Sequence, residues 1–145
     1  MNNLRDIYSK LKYFSTEHQM VNEFIMVSSE GELENREFDY RTLVIVPSSS
    51  NISRDLNSPV YTLTFTAVIL DQVSSHDPEM SIASMEENIF ILGQLQDFML
   101  QQNIDVDFDE VELTATAFED HNITGVYSDF DVRLGRNPYN KGIND

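Results

Sequence analysis

Val60-Tyr61-Thr62-Leu63-Thr64-Phe65-Thr66-Ala67-Val68-Ile69-Leu70 changes character at almost every step. Tyr61, Leu63, Phe65, Ala67 and Ile69 share one register, and Thr62, Thr64 and Thr66 share the other. A period of two places these sets on opposite sides of an extended chain, so the stretch predicts a strand with one face in a core. The threonine face is neither clearly core nor clearly solvent. Faces of that kind pack well against a neighbouring chain, which makes Thr62, Thr64 and Thr66 candidate interface residues.

On the N-terminal side, Leu43-Val44-Ile45-Val46 is an apolar run closed by Pro47 and predicts a buried strand. Phe24-Ile25-Met26-Val27 predicts another, and Ser28–Glu32 a turn. Leu4, Ile7, Tyr8, Leu11 and Phe14 recur at helical spacing, with Asn2 or Asn3 as cap, and predict a helix to Thr16 or slightly beyond. Residues 48–58 read as a loop.

On the C-terminal side, His76-Asp77-Pro78-Glu79 is a helix start: Asp77 caps, Pro78 fits the first turn and Glu79 meets the positive dipole end. A long helix follows, with Ile82, Met85, Ile89, Leu92, Leu95 and Met99 expected on its buried stripe. Phe90, Ile91 and Phe98 widen that stripe. In Asp105–Leu113 the alternation changes parity, since Val106 and Phe108 occupy one register and Val111 and Leu113 the other. One strand cannot turn both sets inward, which predicts a bulge or turn at Asp109-Glu110. Val126, Ser128, Phe130, Val132 and Leu134 alternate with polar residues and predict the last strand.

This order predicts an α+β fold: a mainly antiparallel sheet, one long helix packed on a face, and an N-terminal helix. Residues 1–134 form a single domain, and 135–145 an extended C-terminal tail without helical or strand period.

The chain has 145 residues, no cysteine and a net charge of −16. Between Thr42 and Val132 a single base, Arg54, stands against sixteen carboxylates. Residues 1–70 carry −3 and residues 71–145 carry −13. Gripping nucleic acid or an anionic membrane requires clustered Lys and Arg, which this stretch lacks. Without cysteine there is no disulfide scaffold, thiol nucleophile or Cys-ligated zinc. No apolar run approaches the roughly 20 residues that span a bilayer, and the first residues lack the apolar core of a leader peptide. The chain is expected to be soluble and made without a cleaved leader. A solvated surface accounts for most of the carboxylates, and their field steers basic partners toward the acidic half.

No catalytic, cofactor or metal residues are assigned. Asp105-x-Asp107-x-Asp109 resembles the opening of a calcium loop, but Glu110 stands where glycine is needed and Thr116 where a bidentate glutamate is needed. His18, His76 and His121 are far apart, with no helical partner histidine. Glu86 and Glu87 read as a solvated helix surface. Arg133, Arg136 and Lys141, with Tyr139 among them, form a basic aromatic tail behind an acidic body. Such a tail can dock on the acidic flank of a second copy, a heterologous contact that closes into a ring. The expected oligomer interface is therefore Thr62, Thr64, Thr66, Arg133, Arg136, Tyr139 and Lys141, together with the loop at residues 48–58.

Three stretches carry a family resemblance: Phe14–Phe24 with its His18-Gln19-Met20-Val21-Asn22 turn, Phe38–Pro47 with its Tyr-started buried strand, and Tyr61–Asp71 leading to the long helix. In this arrangement the chain resembles the tail-completion, or tail-terminator-like, neck ring proteins of tailed bacteriophages, and among them virion proteins of crAss-like Bacteroides phages. It departs from them in its glycine-poor turn after Phe24 and its long tail. The resemblance implies a structural virion protein and not an enzyme. It implies a homo-oligomeric ring at the head–tail neck or tail tube, beside portal, connector and tail proteins. DNA would pass through without specific binding, and the protein would be made in the bacterial host cytoplasm and reside in the virion. Acidic walls suit such a duct because they repel phosphates. The alternative is a small acidic chaperone similar to those of type III secretion, dimeric and offering an apolar groove to a client. A hot-dog-like enzyme is the third class, and would need a polar group in a tunnel.

Overall fold

Asn3 sets the start of the first helix. Its side-chain oxygen accepts from the backbone N–H of Asp6 at 2.9 Å, which pairs one of the donors that a helix start leaves open. Helix α1 (Leu4–Glu17) buries Ile7, Leu11 and Phe14, spaced i, i+4 and i+7. The computed structural model describes residues 3–33, 36–47, 53–54, 61–73, 78–102, 104, 106–108, 112–114 and 123–134.

The strands are β1 (Glu23–Met26), β2 (Thr42–Pro47), β3 (Ser53–Arg54), β4 (Tyr61–Gln72), β5 (Val106–Phe108), β6 (Glu112–Thr114) and β7 (Ile123–Leu134). The sheet order is β1-β2-β4-β7-β5, with β3 paired to β4 and β6 to β7. Only β1 and β2 run parallel; every other pair is antiparallel. The chain is thus α+β, with a mainly antiparallel sheet, an N-terminal helix and a longer second helix. β3 lies inside the stretch that composition reads as loop.

β4 and β7 form the spine of the sheet, pairing from Tyr61↔Leu134 to Gln72↔Ile123. That register puts Phe65 against Phe130, Ala67 against Ser128 and Ile69 against Val126. All six are buried, and the two phenyl rings stack at 5.7 Å. Helix α2 (Pro78–Gln101) covers this inner face with Ile91, Leu92, Leu95 and Met99. Each such side chain contributes about 1.5–3 kcal/mol by leaving water.

The helix does not bury the stripe that its apolar spacing suggests. Ile82 and Phe90 are each 60% exposed, while Ser84 and Asn88 are buried. Met85 and Ile89 are only half-buried. The reason is a polar cluster beneath the first turns of α2. Turning Ile82 inward would withdraw the groups that pair the buried Arg41, and an unpaired buried charge costs far more than an exposed isoleucine.

Parallel strands need a crossover connection. Between β1 and β2 it passes over the outer face of the sheet through a 3₁₀ turn (Glu30–Leu33). Leu33, Phe38 and Tyr40 rest there on Val44, Val68, Leu70 and Ile123, and Leu33 and Phe38 also on Ile25, Val27 and Val46. The outer face is therefore covered at the β1–β2 side, and polar at the end of β4 that holds Thr62, Thr64 and Thr66.

β5 and β6 both pair with β7, but not in one register. Phe108 lies opposite Phe130 and Glu112 opposite Tyr127, so four steps on one chain match three on the other. The change of parity in the sequence is this slip. Residues 109–111, where the interruption is expected, lie outside the described residues, as do Asp77 and the tail 135–145.

Candidate functional site

Two polar clusters and one apolar face compete as the functional part of the molecule. Thr62, Thr64, Thr66 and Arg133 are brought together on the outer face of β4 and β7, where Thr62 pairs with Arg133, Thr64 with Asp131 and Thr66 with Asp129. Thr64 Oγ1 donates to Asp131 at 2.6 Å and Thr66 Oγ1 to Asp129 at 2.5 Å. The hydroxyls of Thr64 and Thr66 are thus spent on carboxylates of the next strand, and the face is half-buried. Arg133 is hydrogen-bonded to Asp107, which lies one strand further on. That guanidinium holds the Asp107 carboxyl below its ordinary value. Arg136, Tyr139, Lys141 and residues 48–52 and 55–58 lie outside the described residues.

Arg41 is the residue that the sequence reading missed. It stands one place before β2, and its side chain is only 6% exposed. Its Nε donates to Asn88 Oδ1 at 2.8 Å, and its Nη2 to Asp71 at 3.0 Å and to Glu87 at 2.6 Å. Asn88 Nδ2 in turn donates to Thr124 Oγ1 at 3.2 Å. Ser84 Oγ donates to Asp71 at 2.7 Å, so the 2.5 Å contact between the Ser84 and Thr124 hydroxyls has Thr124 as donor. The donors therefore run Arg41 to Asn88 to Thr124 to Ser84 to Asp71, and Arg41 closes the loop on Asp71. Every named side chain in the loop has at least one partner, as buried polar groups require. Glu87 is no idle surface acid: half-exposed, it accepts from the same Nη2 that donates to Asp71.

A signal for this cluster was present. Ser84, Asn88, Leu92, Leu95 and Met99 follow helical spacing, with the polar members at one end. A lone arginine also abuts the apolar run of β2. Across the sheet, Tyr40 packs on the outer cluster, and burial, helped by Glu23, pushes its phenol above the ordinary value. The Tyr40–Arg41 peptide bond is cis.

His18 ends α1 in a defined tautomer. Its Nδ1 accepts from the Met20 backbone N–H at 3.1 Å, so Nε2 carries the proton and donates to Gln94 Oε1 at 2.6 Å. His76 and His121 lie outside the described residues. Among the described residues no group of three or more His, Asp or Glu side chains could hold a metal ion, and Asp107 faces Arg133 instead. Among them, too, no helix is long and apolar enough to cross a membrane.

The third feature is the outer face of α2. Ile82, Phe90 and Leu100 are each 60% exposed, and spacings of eight and ten residues bring them to one side of the helix. Glu86, Gly93 and Asp97 lie on the same side. A Cβ added at Gly93 would meet nothing within 4 Å. Three large apolar side chains exposed on one side of a helix, with two carboxylates among them, make this side a candidate interaction surface. No protein-family model matches the chain, and no curated protein matches it.

Proposed function

We propose that this chain is a structural, non-enzymatic protein that assembles with copies of itself into a ring at the neck or tail tube of a tailed bacteriophage. The observation that carries the self-assembly is the exposed apolar face of α2. The side chains of the polar clusters pair chiefly with one another, the inner one joining sheet to helix and the outer one joining neighbouring strands. The phage setting rests on the resemblance of Phe14–Phe24, Phe38–Pro47 and Tyr61–Asp71 described above. The ring joins portal or connector to tail, and its acidic half faces a passage for DNA without holding it.

Native mass measurement with negative-stain imaging tests this reading. A closed ring of many copies supports it. A closed dimer that captures extended apolar clients favours the secretion-chaperone alternative. Removal of residues 136–145 is expected to leave the circular dichroism spectrum intact and weaken assembly. Tight, salt-sensitive binding of duplex DNA by the purified protein would remove the passive-duct reading, because phosphate grip is what produces steep salt dependence.

A further inference from the structure

We propose that the contact between copies runs from α1 of one chain to the outer face of α2 of the next. This rests on the self-assembling reading above and names its interface. The first observation is where the available cations lie. Among the described side chains, each arginine outside α1 already faces a carboxylate: Arg36 faces Glu23, Arg41 faces Asp71 and Glu87, and Arg133 faces Asp107. Arg5, Lys10 and Lys12 of α1 make no ion pair among the described residues. Leu4, Arg5, Tyr8 and Lys12 occupy one flank of α1, with Lys12 Nζ 5.8 Å from the centre of the Tyr8 ring. Leu4 and Tyr8 are exposed there.

The second observation is the opposite surface. Ile82, Glu86, Phe90, Gly93, Asp97 and Leu100 fall within one side of α2, apolar groups with two carboxylates that have no partner among the described residues. The helix carries four acids and no base. Two α2 faces docked on each other would set these acids against their own kind, whereas the basic, apolar flank of α1 complements them. Gly93 lets a second backbone come close at the middle of the face.

The same α1 cannot satisfy its own α2. Its other flank is engaged there, with Tyr13 stacked on Phe98 at 6.0 Å and His18 bonded to Gln94. The contact is therefore between different patches on successive copies, the heterologous kind that closes into rings. Arg5 and Lys12 are about 10 Å apart along α1, and Glu86 and Asp97 about 16 Å along α2, a difference that the two long basic arms span.

Charge reversal tests this on the full chain, read as the concentration at half-association in sedimentation. Lys12→Glu, and separately Glu86→Lys with Asp97→Lys, are each expected to weaken association roughly tenfold or more. Arg5→Glu and Lys12→Glu combined with both α2 reversals is expected to restore it. Lys10→Glu, on the other flank of α1, changes net charge equally and is expected to leave association as it was. Gly93→Leu is expected to block association by bulk alone, with an unchanged circular dichroism spectrum. An oligomer indifferent to these changes, a combined variant that stays dissociated, or a Lys10→Glu effect as large as that of Lys12→Glu would overturn the α1–α2 contact and leave the ring standing. A parent chain that is monomeric at every concentration would overturn both.

Discussion

Arg41 and Arg133 sit on opposite faces of one sheet, each among carboxylates and hydroxyls, yet their surroundings make them different devices. On the inner face Arg41 is buried, and its loop joins four elements: the start of β2, the first turns of α2, and the strands β4 and β7 at Asp71 and Thr124. On the outer face Arg133 is partly exposed, and it and the Thr–Asp pairs connect neighbouring strands that already share backbone hydrogen bonds. Similar chemical parts thus become a tie between layers in one place and a trim on a ladder in the other. Water decides the difference. It screens the outer charges, and its absence makes each inner partner hard to lose.

The largest effect expected from breaking this contrast is at Arg41→Ala. It strips the buried Asn88 Oδ1 of its donor and leaves the part-buried Asp71 with Ser84 but without its counter-charge, and is expected to cost about 3 kcal/mol in denaturant unfolding. A loss below that of an exposed pair would mean the cluster is wet. A double cycle with Arg41→Met and Asp71→Asn sharpens the point, with an expected coupling of about 2 kcal/mol, because removing both charges spares the cost of stranding one. On the outer face Thr66→Val removes one hydroxyl from Asp129, which retains access to water. The expected cost is about 0.5–1 kcal/mol, measurable by the same unfolding experiment. The smallest effect belongs to Arg133→Ala, read in the titration of Asp107 by NMR rather than in stability at neutral pH. In the parent the carboxyl sits below its ordinary 3.8, and in the variant it is expected to return toward that value. Because the folded pKa is the depressed one, the pair's stabilisation is present above the unfolded value and lost as the pH falls through the folded one, a window below about pH 4.

Much of the fold was legible because the main strands carry their period openly. Tyr61–Leu70 and Val126–Leu134 alternate, and their pairing in the structure keeps both apolar registers on the inner side. The parity change across Asp105–Leu113 corresponds to the slip of β5 and β6 against β7, while the bulge or turn expected at Asp109-Glu110 lies outside the described residues. The rotation of α2 was not legible from apolar spacing, since Ile82 and Phe90 counted as core in a pattern that gives Ser84 and Asn88 no weight. Their burial follows from Arg41, a partner 43 residues before Ser84 in the chain, and such a partner is invisible to a local period. The residues expected at an interface were legible only as types. Thr62, Thr64 and Thr66 do share a face, but what their hydroxyls touch depended on the register that brings Asp129 and Asp131 opposite.

Tyr40 and Arg41 are adjacent in the chain, yet one belongs to the cover outside the sheet and the other to the loop beneath α2. The outer strap and the inner helix are consequently latched by a single dipeptide that passes between the faces at the N-terminal end of β2. Lifting either layer drags on the other, so amides of the strap and of the first turns of α2 should exchange with deuterium at one common rate, as a single cooperative unit. That latch turns three stacked layers into one body that gives way together or not at all.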